Sequence, residues 1–133
     1  MIVDQIRLKL LSGVVIPKPA ATADFIVKGW GRRRGDVALV YLIPNHTDPE
    51  KPHEKGITEE EFEVAYTQLT KAGELTRSWF NASLPACAKE GACNFTTVGG
   101  VFQLLGVAEY SRLGVYLHCK PGRVGTPCPR RAE

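Results

Sequence analysis

The chain has 133 residues, 44% of them hydrophobic and 23% charged, with a formal net charge of +3. These values describe one globular domain, long enough to bury a core without disulfides. No apolar run is long enough for a membrane span, and Asp4, Arg7 and Lys9 stand where the apolar stretch of a secretion signal would lie, so a cytoplasmic protein with four cysteine thiols is expected.

Residues 3–11 read as a short helix with Ile6 and Leu10 on one face, ended by Ser12-Gly13; mixed periods leave a strand through Val15 open. Pro17-Lys18-Pro19 and the alanines after it make an extended connection. Two strands are predicted next. Residues 24–30 alternate, residues 37–43 are almost continuously apolar, and Gly31-Arg32-Arg33-Arg34-Gly35 joins them as a tight reversal. The second strand must be buried on both faces or paired with another chain, because an exposed apolar edge invites association.

Up to residue 43 the chain carries seven basic and three acidic side chains, whereas residues 44–63 carry two basic and seven acidic ones. A surface divided in this way can steer a partner, or be satisfied within the molecule or in a homodimer. Residues 44–56 (PNHTDPEKPHEKG) read as a long polar loop, and loops of that length are often functional. Thr58-Glu59-Glu60-Glu61 is a capping box. It opens a helix with Phe62, Ala65, Tyr66 and Leu69 on one face, closed by Gly73. Thr76 caps a shorter helix through Phe80, with Trp79 and Phe80 as buried anchors, and residues 85–93 return as a loop carrying Cys87 and Cys93.

Residues 93–117 hold the clearest pattern. Val98, Val101, Phe102 and Leu105 fall on one helical stripe, Thr96 or Thr97 can cap the start, and Gly106 suits the end. Residues 107–110 and 115–119 then flank the turn Ser111-Arg112-Leu113-Gly114. A short helix followed at once by a hairpin is how a winged-helix domain ends, with that helix as the recognition helix and Arg112 at the wing tip. Gly99 and Gly100 would each cost a helix roughly 1 kcal/mol relative to alanine. They ask for close approach of another backbone or of a ligand, and the helix beginning at Thr58 is the expected neighbour. Residues 120–133 form a basic, proline- and glycine-rich tail expected to be disordered, leaving one domain over residues 1–119.

Three constellations could carry function. Arg32, Arg33, Arg34 and Arg112 could grip phosphates, with Thr96, Thr97 and Gln103 facing a groove, although that helix lacks the arginine that most often reads guanine. With only three charges, a solvated hairpin tip is the favoured reading of the arginine turn. His46, His53, Cys87 and Cys93 could meet around a metal, at spacings looser than usual zinc signatures. The same cysteines beside a histidine would be the parts for nucleophilic catalysis, with no local signature that assembles them.

The segments RGDVALVYLIPNH, KGITEEEF, GELTRSWF and CNFTTVGGVFQLLG, with the closing AEY and GVY, resemble a family of small bacterial proteins found partly as products of mobile integron gene cassettes. The resemblance spans about residues 24–117, and the tail GRVGTPCPRRAE looks like translation into a recombination site. It implies no activity and carries over no catalytic residue.

The expectation is therefore an α+β fold, an N-terminal β-hairpin ribbon packed on a winged-helix-like helical part that ends in a β-hairpin. A non-enzymatic binding module for nucleic acid or protein, acting as a homodimer without a cofactor, is the leading reading. The alternative is a small enzyme or ligand- or metal-binding protein using the 44–56 loop with Cys87 and Cys93.

Overall fold

The computed structural model of the protein describes residues 1–21 and 23–119; the expected basic tail, residues 120–133, lies outside them. Strand β3 (Asp36–Ile43) decides the architecture, because Ala38, Leu39, Val40 and Tyr41 are buried one after another. Such a strand needs cover on both faces and hydrogen-bonding partners on both edges. It finds the partners within the chain. It lies between β2 (Phe25–Arg33) and β4 (His53–Thr58) in an antiparallel sheet ordered β1-β2-β3-β4, where β1 is Val15–Ile16. The expected lone hairpin ribbon is thus a four-stranded sheet, and β3 is an inner strand.

β4 was hidden in the sequence because it is an edge strand whose first residues, His53 and Glu54, are exposed. The expected 44–56 loop accordingly shrinks to residues 44–52. Arg34 turns the β2–β3 hairpin with φ 51° and Gly35 with φ 77°, the left-handed pair a two-residue reversal requires. At the N-terminus the helical reading holds, as α1 (Ile2–Lys9); the competing strand through the same residues does not form, and pairing begins only with the two residues of β1.

Helix α2 (Glu59–Ala72) has the expected capping box, Thr58 Oγ1 accepting from the Glu61 N–H and Glu61 from the Thr58 N–H, and ends on left-handed Gly73. Its stripe Phe62, Ala65 and Leu69 is buried. Three residues of strand β5 (Glu74–Thr76) follow, too short for any period to show. Thr76 caps α3 (Arg77–Ser83) as expected. Residues 85–90, expected as loop, instead form α4 (Pro85–Glu90); Pro85 at the first helical position supplies a φ already suited to the helix.

Helix α5 (Asn94–Leu104) has Cys93 as its N-cap, three residues before the nearer of the expected caps, so Thr96 and Thr97 lie inside its first turn. The closing strands are β6 (Ala108–Arg112) and β7 (Val115–His118), and β5 joins them in a second sheet ordered β5-β7-β6. Asn94, Phe95 and every residue from Thr97 to Phe102 are buried, which makes α5 the centre of the molecule. Its two glycines explain how. A methyl group on Gly99 would overlap the Tyr116 ring on β7, and one on Gly100 would overlap the Pro17 carbonyl and lie 2.7 Å from Ile16 Cγ2. The close neighbours are therefore the second sheet and the β1–β2 connection, and not α2 as expected. Phe95 and Phe102 carry this packing outward: Phe95 meets Phe80 and Tyr116 edge-on, and Phe102 meets Phe62 and Tyr66. Each such ring, fully buried, contributes roughly 2–3 kcal/mol.

Candidate functional site

The arginine turn is the first feature the sequence singles out, and the structure engages it internally. The capping box fixes Glu61 at the start of α2, where its carboxylate also receives Arg34 side-on, Nε to Oε2 at 2.8 Å and Nη2 to Oε1 at 2.7 Å. Arg34 further donates to the Gly56 carbonyl and pairs with Glu90 at the end of α4, and Glu90 also takes Arg33 Nε at 3.2 Å. Hydrogen bonding to Glu61 raises the Arg34 pKa above its ordinary value against a smaller cost of burial. Burial disfavours the Glu61 charge, but the bonds from Arg34 and Thr58 outweigh it and hold that carboxyl below its usual range. Arg32 donates to the Gly35 carbonyl of its own turn.

Beside this network a cleft of about 380 Å³ opens, lined by Arg34 and Asp36 at the β2–β3 turn, by Glu60, Glu61 and Val64 of α2, and by Leu84, Pro85 and Ala86 at the α3–α4 junction. A second hollow of about 340 Å³, with Glu63, Lys71 and Trp79 in its wall, continues along α2 and shares Val64 with the first. Helix α2 places Val64 outward because its inward stripe is already Phe62, Ala65 and Leu69, and Val64 remains 38% exposed. The α3–α4 junction supplies Leu84 and Pro85 opposite. The result is a groove with an apolar side and a charged rim.

The other candidate residues are dispersed, except that Cys93, Thr96 and Thr97 gather in the first turn of α5. Thr97 is buried, Thr96 is half-buried, and of the proposed groove-facing residues Gln103 alone is exposed on α5. Arg112 is exposed at the β6–β7 hairpin. His46 and His53 are exposed on the 44–52 loop and the start of β4, Cys87 is buried on α4, and Cys93 is half-buried at the start of α5. Among the described residues no group of three or more His, Cys, Asp or Glu side chains could hold a metal ion. Burial, with Glu61 nearby, pushes the Cys87 thiol up and away from reactivity. Cys87 and Cys93 are free thiols as expected, whereas Cys119 is not among the free ones.

One cluster gave no signal in the sequence. Lys18, in the β1–β2 connection, donates to the Cys93 carbonyl at 2.9 Å, Thr96 Oγ1 at 2.9 Å and Thr97 Oγ1 at 2.7 Å, with its ammonium 4.4 Å from the Phe25 ring centre. Burial lowers its pKa to about 8, partly offset by Cys93 and reinforced by Arg77. Next to it the Tyr41 hydroxyl donates to Asn94 Oδ1 and lies 3.2 Å from Cys93 Sγ, while Asn94 Nδ2 donates to the Cys87 carbonyl at 2.8 Å. Bare Gly100 is what lets residues 16 and 17 approach α5 and bring Lys18 over its first turn. Every ammonium hydrogen of Lys18 has an acceptor, so this cluster acts as a tie between the two halves of the chain.

Among the described residues no helix is long and apolar enough to cross a membrane. No family model matches the chain, and no curated protein or solved structure is found similar to it.

Proposed function

We propose that the protein is a non-enzymatic binding module that engages a protein partner through the groove along α2. The observation that carries this is the pair of adjoining hollows that share Val64, an exposed apolar residue between an apolar wall and a charged rim. The order α2, β5, α3, α4, α5, β6, β7, with a sheet ordered β5-β7-β6, supports a winged-helix-like reading of the C-terminal part. In such a reading α5 would be the recognition helix. Its burial on both sides, with Arg33 and Arg34 already paired to carboxylates, favours protein over nucleic acid as the partner.

Selection of peptides from a random display library on the immobilised protein tests this. Enriched peptides should bind the purified protein and lose binding to Val64→Glu. No enrichment, or binding indifferent to Val64→Glu, overturns the groove reading. Binding to duplex or single-stranded DNA that weakens steeply between about 50 and 200 mM salt would instead establish the nucleic-acid reading.

Self-association belongs to the same proposal. Leu8, Leu11 and Val15, exposed by 78%, 60% and 46%, leave apolar surface from α1 to β1 without cover. Sedimentation equilibrium that returns a monomer at every concentration removes this part. A cassette origin, implied by the sequence resemblance, is carried as a proposal about descent and adds nothing to mechanism.

A further inference from the structure

The charges around the groove narrow the partner's chemistry. The two hollows are lined by four carboxylates, on Asp36, Glu60, Glu61 and Glu63, against the basic side chains of Arg34 and Lys71. Those charges are not equally available. Arg34 and Glu61 neutralise each other, with Glu90 drawing further on the guanidinium, and Glu63 Oε2 accepts from the Val3 N–H at the start of α1. Asp36 Oδ1 takes the neighbouring Val37 N–H. Yet neither Asp36 nor Glu60 has a basic side chain among the described residues within 4.0 Å. Glu63 likewise has none, and Lys71 is the one basic side chain of the lining without a carboxylate partner among the described residues, so the unpaired charge of the groove is negative; Asp36 and Glu60 share the first hollow with Leu84, Pro85 and Ala86.

We infer that the groove takes a basic segment of a protein partner, with an arginine or lysine set between Asp36 and Glu60 and an apolar neighbour packed on Val64 and Trp79. The first hollow, about 380 Å³, has room for such a side chain. Its apolar wall suits the methylene stem, and the carboxylates suit the cationic head. A partly desolvated, charge-assisted hydrogen bond is stronger than one on the open surface. An acidic segment would meet uncompensated carboxylates and be rejected, which gives the groove its selectivity. This inference rests on the groove reading proposed above.

The test uses two short fluorescent peptides on the intact chain, one alternating leucine with arginine and one alternating leucine with glutamine. The arginine peptide should bind roughly tenfold tighter, and Asp36→Asn combined with Glu60→Gln should remove that advantage while leaving the glutamine peptide unchanged. Glu50→Gln, on the 44–52 loop away from the groove, should alter neither. Equal binding of the two peptides, blocked by Val64→Glu, overturns the basic preference and leaves the groove reading standing. An arginine advantage that survives Asp36→Asn and Glu60→Gln places the attraction elsewhere and overturns the inference. No binding of either peptide overturns both readings, provided circular dichroism shows the protein folded.

Discussion

Gly99 presents its bare Cα to the ring of Tyr116, where an added methyl group would overlap Cε1, Cζ and Cε2. Alanine at that position would gain roughly 1 kcal/mol of helix propensity. Overpacking a closed core typically costs about 1–3 kcal/mol and more when a ring cannot move. The cost wins, because Tyr116 is itself hemmed in by Phe95 and Tyr110. Gly99→Ala should lower the thermal midpoint by several degrees. Adding Tyr116→Leu should recover part of that loss, and strict additivity of the two changes would contradict the contact.

The Arg34–Glu61 pair gives a second prediction. The two side chains are 21% and 12% exposed, so solvent screens them only in part. A double-mutant cycle with Arg34→Ala and Glu61→Gln should return a coupling of roughly 1–2 kcal/mol. Arg34→Lys should lose much of it, since an ammonium cannot make the side-on pair of bonds. A coupling indistinguishable from zero in chemical denaturation would show that the turn is not fastened to α2 in this way.

Lys18 predicts a pH dependence. Its folded pKa of about 8 lies below the ordinary lysine value near 10.4, so above pH 8 the unfolded chain holds more protons and stability rises with pH. Cys87, Tyr41 and Tyr116 are all shifted upward, chiefly by burial, and so lose stability as pH rises through their unfolded values. Between about pH 7.5 and 8.5 the tyrosines stay protonated in both states, and Cys87, whose unfolded value is near 8.5, opposes the Lys18 slope only in part. There the wild type should gain roughly 0.3–0.6 kcal/mol, and Lys18→Met should abolish or reverse the slope. Urea titrations at the two ends of that window measure it, and an equal rise in the variant would sink the assignment.

The free thiols should separate by access. Cys87 is fully buried on α4, and Cys93 is half-buried beside Tyr41. Alkylation of the native protein, mapped by peptide mass spectrometry, should label Cys93 well before Cys87. Simultaneous labelling would mean that α4 opens as readily as the start of α5.

The sequence foretold those elements whose signals are local. Thr58 with Glu61, Gly73, and Thr76 each perform the capping role their residue type implies, and the closing hairpin falls within a residue or two of its expected place. What it hid depends on distant partners. β4 is polar and exists because β3 needs a second edge partner, and β5 is three residues borrowed by β7. The groove could not be seen either, since Asp36, Val64 and Leu84 come from three elements brought together only by folding. Gly99 and Gly100 announced a close approach, but spacing alone could not say that the neighbours were Tyr116 and Pro17. Lys18 left no trace because a single lysine between prolines looks like any solvated loop residue.

The central place of α5 also sets a clock on synthesis. The first sheet is complete once residue 58 has emerged, but the helix that covers Ile16 and ties down Lys18 ends only at residue 104. At ordinary ribosomal speeds that interval lasts roughly 2–9 s, during which only α1 and α2 can shield the sheet's apolar side. The growing chain is thus exposed to chaperones and to neighbouring nascent chains just before its last third arrives. Slow codons placed between β4 and α5 would lengthen the wait and lower the soluble yield.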